Sequence, residues 1–158
     1  MVNNQSQLLT QEGLEALEKR LKNLIEVRRP QVAERLRQSM EEGGELSENA
    51  EYEDAKNEQA FVEGEIARLE SIVSTAQIVE VVEHKGVVVF GTHVTVVEQG
   101  TKEQEIYHLV GSAESNPREG KVSIESPLGK ALMGAKVGEK VTVKAPDGEI
   151  VFKITSID

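Results

Sequence analysis

The residues whose types and spacing could do chemistry lie in one short stretch, Gln38 to Ala55. It contains seven carboxylates and no Lys or Arg: Glu41, Glu42, Glu45, Glu48, Glu51, Glu53 and Asp54. Carboxylate oxygens bind hard divalent cations such as Mg²⁺, and a carboxylate can orient or deprotonate a water molecule. The same cluster could instead be a solvated charged loop, since acidic side chains are favoured in the first turn of a helix. The charge pattern alone leaves both interpretations open.

The elements that must position this stretch begin with a long helix. Thr10 can serve as its N-cap, and the apolar residues that follow have the spacing of a coiled-coil seam: Leu14, Leu17, Leu21 and Leu24. The seam then slips and continues on a shifted face: Ile25, Val32, Leu36 and Met40. A proline inside a helix removes a hydrogen bond. We therefore expect a first helix over residues 11–42, bent near Pro30 and ended by Gly43-Gly44.

A second helix follows, for which Ser47 can serve as the N-cap. Its seam alternates steps of three and four without a break: Tyr52, Ala55, Gln59, Val62, Ile66, Leu69, Val73 and Ala76. Two amphipathic helices with a short connection fold back as an antiparallel pair. The sequence thus predicts an antiparallel coiled-coil hairpin with the acidic stretch at its bend. Because the tip of such an arm has no cleft, we infer that it acts by entering a cavity in a partner.

The chain beyond Gln77 is typical of a β-rich domain. Turn signals separate runs of β-branched residues, which cover residues 78–82, 87–97, 104–110, 121–124, 141–143 and 149–157. Ser126-Pro127 begins one short helix, which Gly134 ends. We predict an α+β chain: an antiparallel helical hairpin over residues 1–77, with its acidic tip at 41–54, followed by an antiparallel β-sheet domain with one short helix over 78–158.

The composition limits the classes of function. A net charge of −10 argues against unaided binding to nucleic acid phosphates and favours a basic protein partner or bound cations. The chain has no Cys, which excludes disulfides and thiolate metal sites. We see neither a signal peptide nor an apolar run of membrane-spanning length, and we expect a cytoplasmic protein with no membrane partner. The three histidines lack a regular ligand spacing, and we predict surface or strand-face positions for His84, His93 and His108.

A resemblance to a known family extends over nearly the whole chain. The segment GGELSENAEYEDAKNEQAFVEGEIARLE, from Gly43 to Glu70, closely resembles the bacterial transcript-cleavage factors of the GreA type. The segments RRPQVAERL, VVVFGTHVTV, YHLVGSAESNP and SPLGKALMGAKVGEKVTVKAPDGE resemble the same family in the same order. The resemblance implies an N-terminal antiparallel coiled coil and a C-terminal FKBP-like domain. It also implies a partner, bacterial RNA polymerase, whose secondary channel the coiled coil would enter.

In such factors the polymerase itself cleaves the nascent RNA 3′ end of a backtracked complex, so the resemblance implies a protein that is not an enzyme alone. By position, Glu45 and Glu48 would hold the second Mg²⁺ of the polymerase active site and activate the attacking water. Asn49 and Tyr52 would position the tip, and Lys56 keeps a basic residue near a position that is often basic in the family. We expect no cofactor of the chain's own and a monomeric factor.

Ser126, Pro127 and Leu128 match a family motif associated with polymerase docking, although Ser-Pro is also an ordinary helix start. Two positions depart from the family pattern. Glu45 stands where the family usually has Asp, one methylene shorter, and Glu41 stands where many members carry Arg. These departures keep open an alternative: a factor that binds the secondary channel and inhibits or modulates the polymerase without cleavage. A third possibility, a prolyl isomerase, needs a pocket lined with more aromatics than this chain supplies.

Overall fold

The computed structural model describes residues 7–42, 49–80 and 83–158. The predicted cap Ser47 and the predicted stop Gly43-Gly44 lie outside these residues. The chain forms two compact units. One contains residues 14–75, and the other contains residues 7–13 together with 76–158. Within the part of the chain that the structure describes, we find no helix that could span a membrane.

The first limb of the hairpin is one helical run with a change of pitch. Helix α1 spans Gln11–Asn23, a π-helical segment spans Leu24–Arg28, and helix α2 spans Arg29–Glu42. The predicted limits of residues 11–42 are confirmed for the described part of the chain. The expectation of a single α-helix bent at Pro30 is wrong in one respect: the helix changes to a wider, π-helical turn just before the proline.

The π-helical segment explains the slip in the apolar seam. The backbone N–H of Arg29 donates to the carbonyl of Leu24, five residues earlier, so this turn contains one residue more than an α-helical turn. Such an insertion rotates the following side chains around the axis, and the seam passes from Leu24 to the neighbouring Ile25. The ring of Pro30 would meet the carbonyl four residues before it in a regular α-helix. A local change of pitch is a recognised way to relieve that contact.

The second limb, helix α3, spans Ala50–Thr75 and runs antiparallel to α2. Ion pairs show the direction, because they join Arg29 to Glu63 and Arg35 to Glu51. The predicted α3 seam is confirmed: its members in the helix are buried or half-buried. The expectation for Met40 is wrong, since this side chain is 52% exposed. The seam of α2 instead continues from half-buried Leu36 to buried Ser39.

The second unit is built on a five-stranded sheet. Its strands are β3 (His93–Glu98), β4 (Gln104–Val110), β5 (Lys121–Ser123), β6 (Lys140–Ala145) and β7 (Gly148–Ile157). They are ordered β5-β4-β3-β7-β6. Helix α4, Pro127–Leu132, packs on one face, where Leu132 and Ile154 are fully buried in the core. The predicted fold class, a helical hairpin followed by a β-rich domain with one short helix, is confirmed.

Two details of the predicted sheet are wrong. The sheet is mixed rather than antiparallel, because β5 pairs parallel to β4. The predicted strand over residues 87–97 begins only at His93. Before it, Val88 bonds to the backbone of Ala135 and the chain turns at Gly91, whose φ is +87°. The likeness to FKBP folds stays a prediction.

Residues 7–13 belong to the sheet-containing unit although they precede the hairpin. Strand β1, Gln7–Leu9, pairs parallel with β2, Ala76–Ile78. The predicted N-cap of α1 is confirmed, because the Thr10 hydroxyl accepts a hydrogen bond from the N–H of Gly13 at 3.0 Å. The same hydroxyl and the Thr10 N–H donate to the Glu114 carboxylate at 2.6 and 2.8 Å. The boundary drawn from the sequence between residues 77 and 78 stays a prediction.

Candidate functional site at the hairpin tip

Asn49 joins the two helices where the hairpin turns. Its side-chain oxygen accepts from the N–H of Tyr52 at 3.1 Å, and its carbonyl accepts from the N–H of Glu53, as an N-cap does. Its amide group also donates to the carbonyl of Ser39 on α2 at 2.8 Å. One side chain therefore caps α3 and fixes α3 against the last turns of α2. Asn49, rather than Ser47, occupies the position immediately before the described start of α3.

Arg35 makes the ion pairs that cross the hairpin nearest the tip. Its guanidinium donates to Glu51 at 2.6 Å and to Glu58 at 2.7 Å, both on α3. The hydrogen bond and charge of Arg35 lower the pKa of Glu51, and the two carboxylates raise the pKa of Arg35. The sequence interpretation missed this residue. Its position one before the seam residue Leu36 was the available signal, because such flanking positions face the partner helix.

The tip carboxylates of the described residues fall into two groups. Glu51 pairs with Arg35, and Glu41 pairs with Arg37 one turn earlier on α2. The i, i+4 spacing of Arg37 and Glu41 was visible in the sequence. The remaining described members make no ion pair with any described residue: Glu42, Glu53 and Asp54. Arginines therefore offset the charge of Glu41 and Glu51, and the described carboxylates without such a partner lie at the end of α2 and the start of α3.

Tyr52 and Lys56, two further predicted tip residues, lie together on α3. The Lys56 ammonium is 5.8 Å from the centroid of the Tyr52 ring, within the range of a cation–π contact. Tyr52 is half-buried, and Lys56 is exposed. With Asn49, the structure thus brings all three predicted positioning residues onto the start of α3.

The predicted catalytic and metal-binding pair, Glu45 and Glu48, lies outside the described residues. In the sequence, both lie between Glu42, the last residue of α2, and Asn49, the residue before α3. Within residues 7–42, 49–80 and 83–158, no group of three or more His, Asp or Glu side chains could hold a metal ion. The assignment of Glu45 and Glu48 as Mg²⁺ ligands stays a prediction, consistent with the preference of Mg²⁺ for carboxylate oxygen.

The predicted docking residues lie at the start of α4, far along the chain from the tip. The Ser126 hydroxyl accepts from the N–H of Gly129 at 3.0 Å and donates to the carbonyl of Ser123 at 2.6 Å. Pro127 occupies the first helical position and is exposed, whereas Leu128 is half-buried against the core. Ser126 and Pro127 form the helix start that the sequence indicates, and their role in docking stays a prediction.

Two of the histidines lie on strands, as expected, whereas His84 is half-buried in a loop, where its Nδ1 accepts from the N–H of Gly86 at 3.1 Å. His93 and His108 face each other across β3 and β4, with ring centroids 4.1 Å apart and planes 12° from parallel. Burial and the neighbouring His93 lower the pKa of His108. Among the described residues, no third ligand joins this pair in a metal-binding group.

Comparisons with known proteins match the two parts of the chain to family models of the same kind of protein. Residues 7–78 match the family model described as transcription elongation factor, N-terminal. Residues 83–158 match the model described as transcription elongation factor, GreA/GreB, C-term. The two matches cover most of the chain.

Two relatives have names that agree with the family models. The chain is 45% identical over 158 residues to the transcription elongation factor GreA of Acetivibrio thermocellus, covering 99% of each chain. It is 46% identical over 151 residues to GreA of Lactococcus lactis, covering 95% of this chain and 96% of that one. A solved structure of Gfh1 from Thermus aquaticus is 34% identical, with 95% of this chain and 96% of that one covered and a TM-score of 0.43.

Proposed function

This chain belongs to the GreA/GreB family of transcription elongation factors, and we propose that it stimulates the RNA cleavage activity of bacterial RNA polymerase. The hairpin enters the secondary channel of the polymerase and brings its tip to the active site of a backtracked complex. The polymerase then cleaves the nascent RNA near its displaced 3′ end. The factor supplies side chains to this reaction and does not catalyse it alone.

The observation that carries the proposal is the construction of the hairpin tip. Asn49 fixes the start of α3 to the Ser39 carbonyl, and the segment between Glu42 and Asn49 contains Glu45 and Glu48. Two carboxylates in a short connection, held at the end of an arm, are suited to a site that belongs to another protein. Because the chain belongs to a family of transcription elongation factors, we take that other protein to be RNA polymerase.

The chemistry of the donor set fits a divalent cation shared with the polymerase. Mg²⁺ would stabilise the charge that develops on the phosphate during cleavage. Glu45 and Glu48 would supply carboxylate oxygens to it and accept a hydrogen bond or a proton from the attacking water. Asn49, Tyr52 and Lys56 would act as positioning residues, since Asn49 joins the start of α3 to α2 and the Tyr52 ring lies beside Lys56 on α3.

The docking part of the proposal concerns α4. Pro127 is exposed beside Ser126, whose side chain is held by two hydrogen bonds. A rigid helix start with an exposed proline ring offers a preorganised apolar contact. We assign Ser126, Pro127 and Leu128 to the rim of the polymerase channel.

The test is a backtracked elongation complex with Mg²⁺, given wild-type protein or a tip variant. Wild-type protein should release short 3′ RNA fragments faster than the complex alone. Glu45→Ala and Glu48→Ala should each lower the cleavage rate by about 100-fold or more, the order of effect for a lost catalytic group. Binding to the polymerase should stay within a factor of about two, because neither carboxylate lies in the proposed docking surface.

The matched control is Glu53→Ala, which removes an exposed tip carboxylate with no ion pair among the described residues. It should retain cleavage. The proposal fails if wild-type protein releases no fragment, or if Glu53→Ala is as defective as the other two variants.

Two departures from the family pattern favour a second candidate function. Glu45 is one methylene longer than the family's usual Asp. Glu41 stands where many members carry Arg, and it pairs with Arg37. A factor with altered tip geometry could occupy the channel without promoting cleavage. Multiple-round transcription separates the two functions, because a modulator of this kind lowers RNA output whereas a cleavage factor rescues arrested complexes. Glu45→Asp should raise the cleavage rate if the longer side chain limits it.

A further inference from the structure

Two lysines face each other without a counter-charge on the open face of the sheet. Lys140 on β6 lies directly opposite Lys153 on β7, and both side chains are exposed. Neither makes an ion pair or side-chain hydrogen bond with any described residue. Like charges directly opposite on adjacent strands destabilise a sheet. At the other end of the same strand pair, Lys144 lies opposite Glu149, so β6 and β7 share one complementary pair and one repulsive pair.

The two lysines border a shallow depression with apolar walls. Val97 is in register with Lys153 on the next strand, and Val151 lies beside them on the same face. The turn after β3 closes one side through Gly100 and Thr101. At Gly100, whose φ is +95°, no heavy atom lies within 4 Å of the place where a Cβ would stand. Glu98 also lines the depression but makes no ion pair with either lysine.

We propose that this depression, defined by Lys140, Lys153, Val97 and Val151, is a docking surface for an acidic peptide segment of RNA polymerase. The two ammonium groups receive carboxylates, and the valines receive an aliphatic side chain between them. The identity of the partner rests on the proposed function. The surface is distinct from the α4 contact, because α4 packs on the opposite, core-forming face of the sheet.

A peptide fits this surface better than a nucleic acid. The net charge of −10 opposes any long polyanion such as a phosphate backbone, whereas the two local ammonium groups can still receive the carboxylates of one short segment. The depression contains neither an aromatic side chain to stack a base nor an Arg to hold a phosphate with two hydrogen bonds. Two isolated ammonium groups beside valine side chains match a short segment that combines acidic and aliphatic residues.

Protection of the sheet edge does not explain the arrangement. Lysines on an edge strand discourage pairing with other chains, and β6 is an edge strand. That role would account for Lys140 and Lys144 on β6. It does not account for Lys153, which lies on the interior strand β7 directly opposite Lys140. The position of Lys153 opposite Lys140 is therefore the feature that an external anion would explain.

The experiment measures the affinity of core RNA polymerase for the full-length chain at two ionic strengths. The double variant Lys140→Gln/Lys153→Gln is compared with the matched control Lys144→Gln. The double variant should bind about 5–10-fold more weakly and show a smaller salt dependence, as expected when interface charges are removed. The control should bind within a factor of about two. At saturating factor, the double variant should support the wild-type rate of RNA cleavage.

A thermal unfolding measurement shows that the loss of affinity is not a loss of folding. Lys153→Gln alone should raise the Tm by about 1 °C, because it removes the repulsion. The inference is overturned if wild-type protein binds polymerase and the double variant binds equally well, an outcome that leaves the proposed function standing. It is also overturned if Lys144→Gln weakens binding as much, or if single-stranded RNA binds the lysine pair. If wild-type protein does not bind polymerase, this inference and the proposed function both fail.

Discussion

The hairpin and the sheet-containing unit are stabilised in different ways. The hairpin buries a narrow apolar seam around Val32, Val62 and Ile66, and eight of the nine ion pairs found among the described residues lie along it. The sheet-containing unit buries a contiguous core on one face of the sheet. Two packed helices share only a narrow strip of contact, so charge pairs and caps contribute more to the geometry of the hairpin than to that of the sheet.

The largest expected difference between the two regions comes from equal truncations in their cores. Ile154→Ala removes a fully buried side chain of the sheet and should cost about 3–5 kcal/mol of unfolding free energy, because close packing prevents collapse around the cavity. Ile66→Ala in the hairpin, 3% exposed, should cost nearer to about 2 kcal/mol, since two helices can move together. Equal losses would contradict the comparison.

The chain offers separate reporters for this measurement, because it has two Tyr and no Trp. Tyr52 lies on α3 and Tyr107 on β4, where its ring meets Phe152 edge to face. Denaturation followed by tyrosine fluorescence in a Tyr107→Phe background reports on the hairpin. A Tyr52→Phe background reports on the sheet.

A smaller difference is expected from the removal of one Asn in each region. Asn49→Ala removes the α3 cap and the hydrogen bond to Ser39, and should cost about 1–2 kcal/mol. Asn116→Ala removes a longer hydrogen bond, 3.3 Å to the N–H of Arg118 in a surface turn, and should cost less than about 0.5 kcal/mol. Amide exchange should rise at the start of α3 in the first variant and stay local to the turn in the second. Unchanged exchange in α3 would show that Asn49 does not hold the tip.

The smallest expected effect is a difference in pH dependence. Burial lowers the pKa of His108 below its usual 6.5, and the charges of His93 and Lys121 lower it further. Glu114 and the Gly91 carbonyl raise this pKa, but by less. The folded state therefore favours neutral His108. This stability is complete above about pH 6.5 and is lost as pH falls through the lowered pKa. His108→Gln should flatten the stability of the sheet between pH 7 and 5.

The hairpin serves as the internal control for that titration. Hydrogen bonds from arginines lower the pKa values of Glu51 and Glu63 below the usual 4.5. Their contribution is complete above that pH and is lost only as pH falls through the lowered values. The hairpin signal should therefore stay constant from pH 7 to 5 in wild-type protein and in His108→Gln. A hairpin that lost stability in this range would contradict the assignment.

Much of the fold follows from the sequence because it depends on local periodicity. The α3 seam, the Thr10 cap and the short helix after Ser126 were all predictable, since a repeat of three and four residues or a capping side chain acts within one turn. The slip between Leu24 and Ile25 was also visible as a pattern. Its cause, a π-helical turn before Pro30, was not, because periodicity records which face is apolar and not how the backbone changes pitch.

The candidate site was predictable in its residue types and less so in its contacts. The sequence determined the acidic tip, the residues Glu45 and Glu48, and the positions of Asn49, Tyr52 and Lys56 near them. Only the tertiary structure decided that Asn49 bonds across to Ser39, that Arg35 reaches two carboxylates on α3, and that β5 pairs parallel to β4. It also decided that Lys140 meets Lys153. The physical reason is the same in each case: these contacts join residues distant in the chain, and their register is set by the packing of whole elements.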